Sequence, residues 1–235
     1  MFKIKIHATG STGNAYTIED SDQMILIDPG IRFKDLQRKT NFTLSKYDFC
    51  LVSHEHQDHC KAVADVARLG IPIVLSAGTM EALIKKAPKG SFILKFPDEE
   101  FSLKKWKVLP FDLDHDAKEP FGFLIQSPSG KKILYATDTN KISYNFTGVT
   151  HYIVECNYSE KLLEKNSKLH ESTKIRIRQT HFALEDVKAF FLAQDLTKTE
   201  AIYLVHLSDQ NSNEKRFIRE IKKATGVPVY SSLYP

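Results

Sequence analysis

Three histidines and an aspartate fall within six residues in Ser53-His54-Glu55-His56-Gln57-Asp58-His59-Cys60, and no other stretch limits so sharply what this chain can fold into. The run follows Asp48-Phe49-Cys50-Leu51-Val52, an apolar segment that reads as a buried strand. It precedes residues 61–69, where the spacing of Ala62, Val63, Val66 and Ala67 predicts a helix. The four potential ligands thus crowd one strand-to-helix turn. A regular element cannot aim them all one way, but a turn can fan them around one or two cations. Neutral imidazole and carboxylate suit zinc, manganese or iron. The pattern His-x-His-x-Asp-His arises by chance about once in a thousand chains of this composition, so a solvated polar turn is the weaker reading.

Composition sets the frame around that motif. A chain of 235 residues with 42% hydrophobic residues has enough apolar surface for a substantial core, and we read it as one domain, 1–235. Cys50, Cys60 and Cys156 form no CxxC pair, which argues against a disulfide framework or a thiolate zinc site. The start alternates like a strand, and no apolar run approaches the length of a membrane span. A soluble cytoplasmic protein is therefore expected, with a homo-oligomer left open. The net charge of +4 permits an anionic partner without demanding one.

Strands are expected at residues 2–7, 15–19 and 24–28, with Thr9-Gly10-Ser11-Thr12-Gly13-Asn14 as the first turn. That glycine loop reads as a hairpin turn or as an anion cradle of backbone N–H groups. Asp28 ends a strand, where it either supports a ligand histidine or caps a helix over 33–37. Further strands are expected at 71–75, 91–96, 101–103 and 106–113, and a helix at 78–86. Residues 121–126 and 132–136 read as a hairpin that ends in Thr137-Asp138-Thr139. In the second half, strands at 152–154, 201–205 and 228–230 alternate with helices at 184–196 and 211–225, while 159–178 reads as helical or irregular.

The remaining polar residues gather where strands stop. His54, His56, His59, His115, His181, His206 and the less convincing His151 all follow expected strands or open loops, and a fold that brings strand ends to one rim would converge them with Asp58 and Asp138. Two such N/O clusters sharing one carboxylate describe a binuclear site that activates water near neutral pH. His7, His151 and His170 read as structural or surface residues, and the cysteines as small buried ones. Lys161, Lys165, Lys168, Lys174, Arg176 and Arg178 form a basic segment diluted by Glu160, Glu164 and Glu171. Tyr144, Phe146 and Tyr158 are either base-stacking groups or core residues.

Across nearly its whole length the chain resembles the metallo-β-lactamase-fold hydrolases, through Asp28, the His54-x-His56-x-Asp58-His59 motif, His115, Asp138 and His206 in that family's order. The resemblance implies an α/β fold of the α+β kind, a four-layered αββα sandwich. It also implies a ligand set: His54, His56 and His115 for a first divalent metal, Asp58, His59 and His206 for a second, and Asp138 bridging them. Zinc is the leading candidate, with manganese or iron as alternatives. Gly10-Ser11-Thr12-Gly13-Asn14, His115-Asp116-Ala117, Ala136-Thr137-Asp138-Thr139, Glu155-Cys156-Asn157 and His206-Leu207-Ser208 resemble the YycJ/WalJ group of small nucleases. A parallel with ribonuclease Z gives Asp58 a part in proton transfer, His181 the protonation of the leaving group and Glu155 the orientation of His181. The implied activity is that of a metal-dependent phosphodiesterase or nuclease acting on DNA or RNA. A cyclic mononucleotide phosphodiesterase, phage-encoded forms included, is the alternative substrate class, and a thioester or lactam hydrolase is a weaker one. From another class comes a non-catalytic binding module, which the intact ligand set argues against.

Overall fold

The structure is a computed structural model that describes residues 1–83 and 90–231. Its contacts group into two compact units, Met1–Asp112 with Ala117–Gly130, and Leu113–Asp116 with Lys131–Pro235.

In the first unit, β1 (Lys3–Ala8), β2 (Ala15–Asp20) and β3 (Gln23–Ile27) form an antiparallel meander, with Ile18 opposite Ile25 in the second pairing. The sheet continues in parallel through β4 (Phe49–Leu51), β5 (Ile73–Ser76) and β6 (Phe92–Lys95). Every residue of β4 and β5 is buried, which explains why both read as continuous apolar runs instead of alternating ones. Helices α1 (Phe33–Lys39) and α3 (Val63–Arg68) supply Leu36, Val63, Val66 and Ala67 to a core with Leu26, Cys50, Val52, Ile73 and Leu75. Full burial of each such side chain stabilises by roughly 1.5–3 kcal/mol. Strands β7 (Phe101–Leu103), β8 (Trp106–Asp112) and β9 (Phe121–Gln126) form an antiparallel set in the same unit.

Parallel pairing dominates the second unit. Strands β10 (Lys132–Ala136), β11 (His151–Glu155), β12 (Ala201–Val205) and β13 (Val229–Tyr230) run in one direction, with Ala136 opposite Val154 and Val154 opposite Leu204. Parallel strands place their carboxyl ends along one edge, where open α/β sheets bind ligands. That edge receives Asp138, Glu155 and His206.

Several sequence expectations need correction. The helix expected over 61–69 begins at Val63, and a separate helical turn, α2 (Gln57–Cys60), carries Asp58 and His59. His56 before it is extended, with ψ of 144°, so the turn is set by backbone geometry and not by a side-chain cap. Helix α4 (Ala77–Leu83) matches the start of the one expected at 78–86, whose last residues lie outside the described ones. Residues 159–178 resolve into α5 (Glu160–Lys165) and α6 (Glu171–Thr180). Helix α7 (Leu184–Ala193) stops three residues early because Gln194 turns to extended backbone, and its side chain accepts from the Phe146 amide at 3.0 Å. Helix α8 (Glu214–Thr225) starts three residues late, capped by the Asn213 side chain, and closes at Gly226 in the left-handed region with φ of 73°. Among the described residues, no helix is long and apolar enough to cross a membrane.

His151 yields a pH prediction. It opens β11 at 6% exposure beside Thr150, and burial pushes its pKa down from 6.5 to about 4. The unfolded imidazole takes up a proton below about 6.5, whereas the folded one stays neutral until about 4. Between those values the unfolded state binds more protons, so stability falls as pH drops through the window and levels off below it. His151→Phe is expected to reduce the stability lost between pH 7 and pH 5 by about 2 kcal/mol, as read by urea denaturation at both values. An unchanged pH dependence would show that His151 titrates normally in the fold.

Candidate metal centre

In the first unit the site grows from two neighbouring parallel strands. Chain leaving β3 enters Asp28, whose φ of 52° lies in the left-handed region, and chain leaving β4 enters Ser53. Asp28 is fully buried and accepts from Ser53 N–H at Oδ1, from Ser53 Oγ–H at Oδ2 and from His59 Nδ1–H at Oδ2, each at 2.8 Å. With the Ser53 hydroxyl proton committed to Asp28, its oxygen accepts from His54 Nδ1–H at 3.0 Å. His54 and His59 are therefore both held through Nδ1, the tautomer that leaves a lone pair on Nε2. His54 Nε2 meets His56 Nδ1 at 3.1 Å, so two ring nitrogens converge on one point. Asp58 Oδ2 lies 3.7 Å from His59 Nε2.

A close approach of backbone makes this packing possible. A Cβ on Gly30 would sit 1.7 Å from the Asp58 carbonyl oxygen, so only glycine lets the loop after Asp28 lie against α2. Asn14 reinforces it: its N–H donates to the Asp58 carbonyl at 2.7 Å and its amide Nδ2 faces His59 Nε2 at 2.9 Å. The Asn14 orientation is fixed because Oδ1 accepts from Gly10 N–H and Tyr16 O–H, both at 3.0 Å.

The second unit holds the other residues. His115 has a side chain only 2% exposed, donates from Nδ1 to the Thr180 carbonyl at 3.0 Å, and brings Nε2 to 3.7 Å from Asp138 Oδ2. Asp138 and His206 have φ of 54° and 52°, which turns each chain sharply out of its parallel strand. Two bulky residues in the left-handed region store strain of order 1–3 kcal/mol each, a cost that clusters at functional sites. Fully buried Glu155 gathers the group: Oε1 accepts from His181 Nδ1–H at 2.7 Å and His206 Nδ1–H at 2.8 Å, and Oε2 from the amides of Thr139 at 3.0 Å and Phe182 at 3.3 Å. The rings of His181 and His206 stack with centroids 5.4 Å apart. Donor atoms of Asp138, Glu155, His181 and His206 all lie within 4.8 Å of one another.

Charge follows this geometry. Burial disfavours charged Glu155, but His181 and the hydrogen bonds outweigh it and lower its pKa. Burial likewise opposes charge on His181, but the charge and hydrogen bond of Glu155 prevail and raise its pKa. His115 is lowered, chiefly by burial.

Asp28 thus supports a histidine and does not cap α1, whose N-terminus has no side-chain cap. Thr180, the last residue of α6, donates its hydroxyl to the Arg176 carbonyl at 2.9 Å. Phe146 and Tyr158 are 7% and 2% exposed and serve the core, not base stacking. Half of the basic segment is neutralised: Lys174 pairs with Glu171, Arg176 with Asp116, and Arg178 with Glu160 and Glu164, while Lys161, Lys165 and Lys168 are exposed. Sequence reasoning missed Ser53, Asn14, Asn157, whose amide donates to the His206 carbonyl at 2.9 Å, and the Thr180 carbonyl. The first three lie in or beside quoted motifs, whereas a backbone carbonyl leaves no trace in sequence.

Residues 23–207 match the family described as the β-lactamase superfamily domain. The chain belongs to the β-lactamase superfamily. The chain is similar to the exodeoxyribonuclease YycJ of Bacillus anthracis, 30% identical over 223 residues that cover 88% of this chain and 83% of that protein. The exodeoxyribonuclease WalJ of Streptococcus pneumoniae is 27% identical over 226 residues, covering 90% and 83%. A solved structure of the metallo-β-lactamase fold protein YhfI from Bacillus subtilis superposes with a TM-score of 0.74 at 15% identity, over 98% of this chain and 95% of that one. The chain has the superfamily's mixed α/β fold, the αββα sandwich that its motifs implied, and the fold together with the histidine and carboxylate groups implies divalent metal ions.

The donor set fits such ions. Four histidines, His54, His59, His115 and His206, have Nδ1 engaged by a hydroxyl, a carboxylate or a carbonyl, the supporting arrangement typical of metal-binding imidazoles. Asp28→Asn is expected to weaken zinc binding by about 10–100-fold in competition with a chromogenic chelator. Affinity equal to the parent protein's would remove Asp28 from that role.

Proposed function

We propose that this chain is a binuclear metal-dependent phosphodiesterase that releases nucleotides from DNA. His54, His56 and His115 would hold one ion, Asp58, His59 and His206 the other, and Asp138 both, with zinc as the first candidate and manganese or iron as alternatives. When bound, such ions supply Lewis acidity, bringing the pKa of water to about 7 and offsetting charge that develops at phosphorus. Asp58 would take part in proton transfer on the nucleophile's side. His181 would deliver a proton to the departing sugar oxygen, and Glu155, bonded to His181 Nδ1, would keep its Nε2 aimed outward.

The observation that carries the reading is this His181–Glu155 pair beside Asp138 and His206. A thiolate leaves without help near neutral pH, so thioester cleavage has little use for an acid there, whereas a sugar alkoxide needs one. The two exodeoxyribonuclease relatives, matched over about nine-tenths of the chain, add support for DNA as the polymer. The test offers metal-loaded protein linear DNA, single-stranded RNA, 3′,5′-cyclic nucleotides and a thioester in parallel. Nucleotide release from linear DNA is the expected result. Turnover confined to cyclic nucleotides or to the thioester would contradict the proposal.

A further inference from the structure

Two open grooves of about 460 and 320 Å³ lie on the first unit and share Lys39. Together they are lined by five cations, Lys61, Arg32, Lys39, Lys46 and Lys5, against two carboxylates, Asp35 and Glu19. Arg32 pairs with Asp35 at 3.1 Å and Lys5 with Glu19 at 2.7 Å. Lys39, Lys46 and Lys61 are exposed and, among the described residues, have no ion-pair partner. Contrast the basic segment of α6, where Lys174, Arg176 and Arg178 are already neutralised. Three uncommitted charges on one surface are the footprint that a phosphate backbone fills.

Position ties these grooves to the histidine motif. Lys61 directly follows α2, and Thr12, in the glycine loop whose Asn14 amide bonds the Asp58 carbonyl, lines the same groove. From there the groove runs beside α1: Arg32 stands just before the helix, Lys39 is its last residue, and both line the first groove. The local field is felt by His7 in the second groove, where burial first, and then Lys39 and Lys5, push its pKa down to about 4.

An exposed aromatic completes the surface. Phe42 is 70% exposed and contacts no other ring among the described residues. It follows Asn41, which lines the second groove, and the two have φ of 57° and 51°. Consecutive left-handed residues other than glycine are strained, and here they hold a large apolar ring in water at the end of α1. Aromatic rings beside a cationic groove are how proteins hold single strands without reading sequence.

Resting on the phosphodiesterase reading above, we infer that a single strand of DNA leaving the histidine motif lies along the grooves beside α1, its phosphates on Lys61, Lys39 and Lys46 and a base on Phe42. The test measures binding of a fluorescently labelled, hydrolysis-resistant phosphorothioate oligodeoxynucleotide to metal-loaded protein across a salt series. The combined variant Lys39→Gln, Lys46→Gln, Lys61→Gln is expected to bind at least about tenfold more weakly, with the salt slope reduced by about 2. Phe42→Ala is expected to lose about tenfold with the slope unchanged. A control, Lys215→Gln, Lys222→Gln, Lys223→Gln on α8, removes the same charge from exposed positions of the other unit and should leave binding nearly intact. Equal losses from both triple variants, or none from the first, would overturn the inference. Hydrolysis of bis(4-nitrophenyl) phosphate, too small to reach the grooves, should be the same in all variants. If the parent protein cleaves neither this diester nor DNA, the phosphodiesterase reading fails, while the binding data still decide the groove.

Discussion

Replacing His181 with alanine is expected to slow nucleotide release from DNA by about 10²- to 10⁴-fold, while hydrolysis of bis(4-nitrophenyl) phosphate falls by less than about tenfold. The difference arises in the leaving group. A sugar alkoxide is a strong base and must be protonated as it departs, whereas 4-nitrophenolate is a weak one and leaves unassisted. His181 is held by Nδ1 to Glu155 at 2.7 Å and stacks on His206, so its removal takes away an acid while every assigned ligand stays in the chain. Metal affinity should therefore stay at the parent level. Equal losses on both substrates would mean that His181 acts through structure or through the ions, and the acid role would fall.

Glu155→Gln is expected to do broader damage. All four groups on the Glu155 carboxylate are donors: His181 Nδ1–H, His206 Nδ1–H and the amides of Thr139 and Phe182. A glutamine must turn its own N–H groups towards two of them, whichever way its amide points. At a fully buried position each lost bond of this kind costs about 1–3 kcal/mol. With two donors stranded, the melting temperature should fall by roughly 5–15 °C. His206 also loses the group that sets its tautomer, so metal affinity should fall by about 10–100-fold, unlike in His181→Ala. Thermal denaturation and chelator competition read the two effects separately. A variant with parent stability and parent metal affinity would show that the carboxylate charge is dispensable.

Many of the candidate site residues stand out in sequence because they share one physical circumstance. Asp28, the His54 motif, Asp138, Glu155 and His206 all end or follow parallel strands, and such strands announce themselves as short apolar runs that stop at polar residues. The orienting partners were harder to read. Ser53 and Asn14 are small polar residues whose value comes from the left-handed turn at Asp28 and from the close passage of Gly30 beside Asp58. The Thr180 carbonyl that fixes His115 reaches it across 65 positions of sequence. Charge was misleading for a similar reason. Residues 161–178 look basic in sequence, yet Arg176 meets Asp116 from 60 positions away, while Lys39, Lys46 and Lys61 look scattered in sequence and line adjoining grooves in the fold. Pairing over such separations is set by tertiary structure alone.

In the proposed mechanism, phosphodiester cleavage depends on two divalent ions held by this chain. Its most direct test is to strip the protein with a chelator, add zinc or manganese back in measured equivalents and follow nucleotide release from linear DNA. The account predicts no release from the stripped protein, a rise that levels off at two equivalents, and no rise with Asp138→Asn. Full release from stripped protein, or a parent-level rise with Asp138→Asn, would contradict it.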